Sequence, residues 1–433
     1  MQERKPQPTP RRKRIGALRA AHYAPSQTVV RPVQLDLLFT ILAAFVVLFG
    51  GRALVGRVGF LKRFSIPAPV VGGVIVAVLL ALLDAFGGIK IGFDMSLRDN
   101  LLLMFFTTVG LSADARMLLK GGPKLAIFLL VSAVFIAVQN FVGIAAARAM
   151  DLHPVVGLLG GSITLTGGHG TGAAYGGRFG ETMNIAGAME LTMACATAGL
   201  VLGSILGGPL AEFLVTRYKL TPKSTGSELQ PTTTVIESGD PITVQSVLNT
   251  LFSILLCLAV GKVLAKAFQA TGIILPDFLF CLLFGVLIRN TTSLTKGMRV
   301  SEATVDLLGG VALSLFLTMA LMGMQLMQLI NLAGPLFVIL ALQMLAMALY
   351  AIFVTYRVMG RDYDAAILAA GHVGFALSST AAALAIMKTV TERRGPSPLA
   401  FVIVPMVGAF FIDIANALVI QGYLALPIFG FVS

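Results

Sequence analysis

The stretch S-I-T-L-T-G-G-H-G-T-G-A-A-Y-G-G, Ser162 to Gly177, decides how the chain is organised. Six of its sixteen residues are glycine, and four more carry hydroxyl groups on short side chains. Glycine disfavours helix and lets the backbone turn its N–H and C=O groups toward a ligand. Long apolar runs flank the stretch, and irregular backbone at membrane depth is tolerated only inside protein or beside a polar cavity. We therefore predict a re-entrant loop that marks a transport site or a pore.

The composition of the chain indicates a polytopic membrane protein. It has 433 residues, of which 57% are hydrophobic and only 12% charged, and its mean hydropathy is +0.89. Such apolar runs span a bilayer several times. Basic residues exceed acidic ones by 32 to 20, but eight bases lie in the first 35 residues beside only Glu3, which leaves 24 against 19. The body of the protein is therefore not expected to bind nucleic acid.

No cofactor or catalytic group is indicated. Cys195, Cys257 and Cys281 lie in apolar segments without paired spacing, so we interpret them as packing residues rather than as disulfide or metal ligands. Ser162 lacks the G-x-S-x-G context, and neither a zinc motif nor a nucleophile–base pair is present. We expect a protein that is not an enzyme and holds no resident metal.

Charge and breaker residues divide the chain into four parts. Residues 1–35 are basic and proline-rich, which predicts a disordered tail. Residues 36–216 form a first membrane repeat, 217–244 a polar linker, and 245–427 a second repeat. The predicted spans cover 36–58, 66–86, 98–119, 124–149, 183–214, 245–270, 274–290, 304–330, 333–358 and 398–427. Atypical loops at 155–177 and 364–385 interrupt the two halves.

The two halves align at an offset of 209 residues. This offset pairs Pro67 with Pro276, Leu159 with Leu368, Thr171 with Thr380 and Gly199 with Gly408. Each half has five spans, and because five is odd the second half enters the membrane in the opposite orientation. We predict an all-α membrane protein of two inverted-topology repeats, each with a re-entrant loop, as in secondary transporters.

The distribution of basic residues predicts the orientation. If the first span runs from outside to inside, the cytoplasmic loops hold 18 Lys and Arg residues and the opposite loops hold 6. The positive-inside rule then places the linker in the cytoplasm and both termini outside. The basic tail argues for the reverse, but most of its charges lie too far from the first span to decide its orientation.

The loops supply the main candidates for binding substrate and ion. Backbone dipoles and hydroxyls without fixed charge suit Na⁺ coordination by oxygen atoms and carboxylate binding by N–H groups. The candidates in the two loops are Gly168, His169, Gly170, Thr171, Gly172, Ser378, Ser379 and Thr380. Glycine used only for close helix packing is the alternative interpretation.

Ionisable and amide groups inside the spans are further candidates, because they are costly there unless paired or hydrated. Asp413 and Asn416 share one helix face. Asp413 would bind a cation or a substrate ammonium group, or else act as a buried cap. Glu190 begins a span, where the helix dipole alone would stabilise it. His169 and His372 are too few for a metal site, which wants three or four ligands.

The secondary candidates for substrate or helix contacts are Gln139, Asn140, Glu190 and Gln343.

Five longer motifs resemble those of the bacterial sodium/glutamate symporter family. They are G-S-I-T-L-T-G-G-H-G-T-G-A-A at 161–174, M-A-C-A-T-A-G-L-V-L-G at 193–203, F-D-M-S-L-R-D at 93–99, Y-D-A-A-I-L-A-A-G-H-V-G-F at 363–375 and V-P-M-V-G-A-F-F-I-D-I-A-N-A-L-V-I at 404–420. The resemblance covers roughly residues 36–427. It implies Na⁺-coupled import of L-glutamate across the bacterial inner membrane, ten spans, a homodimer and elevator-type motion.

The second loop departs from the family pattern. Where the family usually reads G-F-G-L-G-A-T-P-T-A, this chain has G-F-A-L-S-S-T-A-A-A at 374–383, which replaces two glycines and a proline. A Na⁺-coupled carrier of another dicarboxylate or hydroxycarboxylate is therefore the alternative function. An ion channel is a weaker one, because neither a T-V-G-Y-G filter nor a ring of acidic residues is present.

Overall fold

The computed structural model describes residues 33–64, 66–114, 116, 122–222, 242–269, 276–292, 300–324 and 333–429. The predicted tail, 1–35, therefore lies outside the described residues except for its last three. The predicted linker, 217–244, is described only at its two ends.

Helices dominate both halves. The first half contains β1 (Val33–Leu35), α1 (Leu37–Arg57), α2 (Gly59–Arg63), α3 (Ala68–Gly87), β2 (Ile91–Phe93), α4 (Arg98–Ser112), α5 (Gly122–Ala149), α6 (Pro154–Leu159), α7 (Gly168–Met183) and α8 (Ala188–Arg217). The second contains α9 (Val244–Gln269), α10 (Asp277–Thr292), α11 (Glu302–Met322), α12 (Ala333–Tyr350), α13 (Tyr356–Val358), α14 (Tyr363–Leu377), α15 (Thr380–Arg394), α16 (Pro398–Met406) and α17 (Ile412–Leu424). The strands β1 and β2 pair in parallel and were not predicted.

The helix lengths confirm a polytopic, all-helical membrane protein. Among the described residues, seven helices are long and apolar enough to cross a bilayer. An eighth span is formed if the bent pair Pro398–Ala409 and Ile412–Leu424 counts as one. The predicted spans 98–119 and 274–290 overlap α4 and α10. Helix α4 has 15 residues, fewer than the ~20 that a membrane helix needs, and the described part of α10 has 16.

Both atypical stretches consist of two helices separated by a break. In the first, which we call hairpin 1, α6 is followed by non-helical residues 160–167 and then α7. In the second, hairpin 2, α14 and α15 are separated only by Ser378 and Ser379. The glycine-rich residues 168–177 are helical, whereas their composition predicted irregular backbone. Packing compensates for their poor helix propensity, because α7 is buried against α8.

The helices pack as two bundles. The flanking bundle comprises α1, α3, α4, α9, α10 and α11, in which α4 packs mainly against α10 and α11. The hairpin bundle comprises α5 to α8, α12 and α14 to α17, with α8 packed against α7 and α14. Each bundle draws corresponding predicted spans from both halves: the first three of each half lie in the flanking bundle, and the last two with the hairpin lie in the other.

Apolar core clusters and polar contacts join the two bundles among the described residues. The ring of Tyr175 on α7 meets Phe278 on α10 edge to face, with centroids 5.4 Å apart. Arg98 at the start of α4 forms an ion pair with Glu181 on α7, at 3.5 Å. Both contacts involve α7, and Met193 and Leu200 of α8 also pack in a core cluster with residues of the flanking bundle.

Candidate functional site

A cavity of about 350 Å³ lies where the two hairpin breaks meet the flanking bundle. The hairpin bundle contributes mainly polar and backbone groups, from residues 166–170 and 378–381 together with Gly408 and Asp413. The flanking bundle contributes apolar side chains and one hydroxyl, from Pro67, Pro69, Phe105, Leu313, Ser314 and Leu317. The cavity is therefore polar on one bundle and largely apolar on the other.

The N-terminus of α7 faces the cavity. Its first turn, Gly168 to Gly170, lines the cavity wall, and the preceding Gly167 provides no side-chain cap. The first N–H groups of a helix have no partner within the helix, and the helix dipole adds partial positive charge there. Gly168 has φ +66°, a left-handed conformation that glycine adopts without strain. This end of α7 is suited to an anionic group.

The N-terminus of α15 faces the same cavity. Ser379 caps this helix by accepting a hydrogen bond from the N–H of Ala382 at 3.2 Å, while Thr380 and Ala381 of the first turn line the cavity. The side chain of Ser378 also lines the cavity and is only 6% exposed, yet its Oγ has no hydrogen-bond partner among the described residues. A second set of donors thus points into the cavity.

Asp413 supplies the negative charge. It lies in the first turn of α17, after a π-helical turn, Val407–Phe411, at which the span bends by 47°. Its half-buried carboxylate lines the cavity and has no hydrogen-bond or ion-pair partner among the described residues. No lysine or arginine is among the described residues that line the cavity. A cation would find an acidic partner here, while an anion depends on N–H and hydroxyl groups.

His169 connects the cavity to α8. Its Nε2 lies 3.1 Å from the hydroxyl of Thr197, and the imidazole is otherwise buried. Among the described residues, no three His, Cys, Asp or Glu side chains lie close enough together to hold a metal ion. His372 lies apart from the cavity, with Nδ1 2.9 Å from the hydroxyl of Thr355.

Gln139 on α5 ties the two hairpin breaks together. Its Oε1 accepts a hydrogen bond from the hydroxyl of Thr166 at 2.7 Å, and its Nε2 donates to the carbonyl oxygen of Ala376 at 3.0 Å. Thr166 lies two residues before α7, and Ala376 lies two residues before Ser378. Gln343 donates to the carbonyl oxygen of Gln139 at 2.7 Å and completes this buried network.

Two asparagines hold the backbone of Ser162 in the first break. Asn140 Oδ1 accepts a hydrogen bond from the Ser162 N–H at 3.0 Å, and Asn416 Nδ2 donates to the Ser162 carbonyl at 3.1 Å. All three residues are buried. Non-helical backbone inside a membrane protein needs such partners, because no water replaces the missing helical hydrogen bonds.

Known proteins match nearly the whole chain. The sodium/glutamate symporter family matches residues 33–396. The chain belongs to the sodium/glutamate symporter family. The sodium/glutamate symporter of Escherichia coli K12 is 50% identical over 399 residues, covering 92% of this chain and 99% of the relative. That of Haemophilus influenzae is 46% identical over 385 residues, covering 88% and 95%.

Membership of the sodium/glutamate symporter family confirms the resemblance found in the motifs. It also confirms that the chain is a transporter rather than an enzyme. Inverted repeats, re-entrant loops, dimer formation and the orientation of the termini stay predictions.

The cavity of this symporter-family protein brings together most of the primary candidates from both loops. The residues that line it are Gly168, His169, Gly170, Ser378, Ser379, Thr380 and Asp413. Thr171, Gly172 and Asn416 are buried nearby but do not line it. Gln139, Asn140 and Gln343 lie in the hydrogen-bond networks behind the breaks, and Glu190 is buried in the wall of a different cavity.

Several cavity residues were not among the candidates. Pro67 and Gly408 stand out in the sequence only because each has a counterpart at the repeat offset of 209. Phe105 and Leu313 are apolar, so nothing in the sequence singles them out. The packing of α4 and α11 places them at the cavity. Apolar walls of a binding site look like any other buried face in a single sequence.

Proposed function

We propose that this protein imports L-glutamate across the bacterial inner membrane in symport with Na⁺. The observation that carries the proposal is the convergence of two uncapped or partly capped helix N-termini and one carboxylate on a single cavity. Family membership supports the same function, because the relatives are named sodium/glutamate symporters.

The two helix N-termini match the two carboxylates of glutamate. One carboxylate would accept hydrogen bonds from the first-turn N–H groups of α7, and the other from those of α15 together with Ser378 and Thr380. Anions bind readily at helix N-termini, where free donors and the helix dipole act together. Discontinuous helices use this arrangement in transporters. The absence of Lys and Arg from the described cavity lining makes these donors the main anion ligands.

Asp413 would then pair with the ammonium group of glutamate. Its carboxylate faces the cavity without a protein partner among the described residues, and an unpaired charge at this depth is costly. Na⁺ would bind to oxygen atoms of the two breaks, where non-helical residues present carbonyl groups. In this assignment the ammonium group binds the carboxylate of Asp413, and Na⁺ binds oxygen atoms of the breaks.

Alternating access would occur by movement of the hairpin bundle against the flanking bundle, in the manner of an elevator. Nearly all polar groups of the cavity belong to the hairpin bundle, so the ligands would travel together. The derivation of both bundles from corresponding spans supports two inverted repeats with re-entrant hairpins. The proposal includes a homodimer with both termini outside and the linker in the cytoplasm.

Uptake into proteoliposomes tests the function. We expect saturable L-glutamate uptake that requires an inward Na⁺ gradient. A panel of glutarate, aspartate, malate and citrate tests the alternative carriers, which the altered sequence at 374–383 keeps open. Uptake of another acid in preference to glutamate would change the substrate, and an ohmic current without saturation would indicate a channel. The mass of the detergent-solubilised protein, corrected for bound detergent, tests the dimer.

A further inference from the structure

A second cavity, of about 580 Å³, lies between the two bundles and shares no lining residue with the candidate site. Its walls come from α2 and α3 of one bundle and from α8 of the other, and include Phe60, Leu61, Val70, Val74, Met193 and Ala198. Among the described residues that line it, only Glu190 and Thr197 are polar. We call this space the α3–α8 crevice.

One wall of the crevice is exposed at the surface of the described structure. Phe60 and Ile75, which line it, are 57% and 41% exposed, whereas Met193 on the opposite wall is buried. Apolar walls with nothing against them lose dispersion contacts, and in a bilayer the molecules available to restore these contacts are lipid acyl chains. The chemistry of the walls therefore specifies a flexible hydrocarbon chain.

Basic residues are close in sequence to residues that line the crevice. Arg57 ends α1 three residues before Phe60, Lys62 directly follows Leu61, and both basic residues are exposed. The sequence from 37 to 64 contains four basic residues and no acidic one. Basic residues near a membrane surface attract anionic headgroups by about 1 kcal/mol each.

We propose that the α3–α8 crevice binds one anionic phospholipid, with an acyl chain inside the crevice and the phosphate at Arg57 and Lys62. The hydroxyl of Thr197 in the crevice wall lies 3.1 Å from His169 of the candidate site. A bound chain thus contacts a residue joined directly to that site. If the bundles move as in the proposed function, on which this last step rests, the lipid occupies the sliding interface.

The absence of tryptophan from the chain allows a direct test. Phe60→Trp places one fluorophore in the crevice, and Phe252→Trp on α9 is a matched control, because Phe252 is also 57% exposed but does not line the crevice. Each purified variant in detergent is titrated with phosphatidylglycerol that carries bromine on its acyl chains and quenches nearby tryptophan. Gel filtration verifies that both variants are folded.

We expect quenching of Phe60→Trp to saturate near one lipid per chain, while Phe252→Trp follows the bulk lipid fraction. Adding Arg57→Gln or Lys62→Gln to Phe60→Trp should weaken the lipid affinity roughly fivefold each, which corresponds to about 1 kcal/mol. Val74→Phe, which fills the crevice, should remove the saturable phase. Equal quenching in the two tryptophan variants would overturn the proposal, as would equal affinity for brominated phosphatidylcholine.

The quenching is measured without glutamate or Na⁺, so its failure leaves the proposed transport function untouched. Conversely, a protein that binds the lipid but carries no glutamate would contradict the transport function alone. Soluble glycerol phosphate is the control for headgroup binding without an acyl chain. If it displaced the brominated lipid at equal concentration, the site would be a phosphate site rather than a lipid site.

Discussion

Thr171 and Thr380 correspond at the repeat offset of 209, but they differ in what they face. Thr380 lines the cavity at the first turn of α15, whereas Thr171 is buried and does not line it. Thr380→Val should therefore weaken glutamate binding by about 10- to 100-fold, the value of one hydrogen bond to a charged group. Thr171→Val should leave it near the native value. Calorimetry at saturating Na⁺ measures both, and equal losses would contradict the assignment.

Asp413 is the residue for which ion and substrate roles can be separated. Asp413→Asn should weaken glutamate binding by about tenfold or more, because the ammonium group loses its counter-charge in a poorly solvated cavity. Glutarate, which has the two carboxylates but no amino group, should bind the variant no more weakly than it binds the native protein. Competition against labelled glutamate measures both ligands.

The Na⁺ dependence provides the control for this prediction. If Asp413 bound Na⁺ instead, the half-saturating Na⁺ concentration would rise in Asp413→Asn, and both ligands would be affected together.

Residue types singled out most of the polar residues that line the candidate cavity, and residue positions were less informative. Glycine and hydroxyl groups at the two breaks, and one carboxylate inside a span, are visible in the sequence and line one cavity. Whether Thr171, Gly172 or Asn416 faces the cavity depends on the rotation of each helix about its axis. That rotation is set by packing against distant helices, which periodicity in a mostly apolar sequence does not report.

At the scale of elements, the packing of α7 against α4 requires a small residue at Gly170. A methyl group there would lie 2.8 Å from Cε1 of Phe105 and 3.3 Å from Cδ1 of Leu313, both on the flanking bundle. Gly170→Ala should therefore reduce the rate of uptake severalfold, because overpacking of this kind costs about 1 to 3 kcal/mol. Uptake in proteoliposomes with matched protein content measures the rate.

A second substitution tests the physical reason. Phe105→Leu combined with Gly170→Ala should restore much of the rate, since it removes the ring that the methyl group meets. Gly208→Ala on α8 is the matched control, because a methyl group there meets nothing within 4 Å. A double variant as slow as Gly170→Ala would show that the clash is not the cause.

The breaks were predictable as elements, but their form was not. Glycine content indicated an irregular stretch around Ser162 to Gly177, and the structure confines the non-helical part to residues 160–167. The remaining glycines are helical because α8 lies against them, so tertiary packing overrides helix propensity. In hairpin 2 the break consists only of Ser378 and Ser379. Two serines alone do not indicate the residues at which a helix is interrupted.

At the scale of the whole molecule, relative movement of the two bundles can be tested by cross-linking. Arg98 and Glu181 lie on different bundles and form an ion pair at 3.5 Å, whereas Glu212 and Arg394 form one at 2.7 Å within the hairpin bundle. Cysteines at 98 and 181, joined by a bifunctional thiol reagent, should stop uptake. The same reagent across 212 and 394 should leave most uptake intact.

The native cysteines should not react with the cross-linking reagent, because Cys195, Cys257 and Cys281 are all buried. Uptake before treatment shows whether the paired substitutions themselves are tolerated, and reaction of each single-cysteine variant controls for simple modification. Retained uptake after complete cross-linking of 98 to 181 would mean that the bundles do not slide at this interface.

The two-bundle arrangement was only half visible in the sequence. Local apolar runs predicted ten spans and the offset of 209 predicted a repeat, whereas the described residues contain seven or eight apolar helices of membrane length. The exchange of spans between halves, which places α4 beside α10 and α8 beside α14, rests on contacts between residues far apart in the chain. Nothing in local composition distinguishes a flanking helix from a hairpin helix. Helix α4 also ends at Ser112, whereas its apolar run predicted a span to residue 119.

The amide of Gln139 has a consequence for energetics as well as for shape. Its two hydrogen bonds, to Thr166 and to the carbonyl oxygen of Ala376, make the geometry of one break depend on that of the other. Under the proposed function, occupancy of one break would alter the affinity of the other, and thermodynamic linkage would make the effect reciprocal. Sodium would raise the affinity for glutamate by the same factor as glutamate raises the affinity for sodium. One side chain would thereby discourage the passage of either solute alone, so that the gradient is not dissipated by leak.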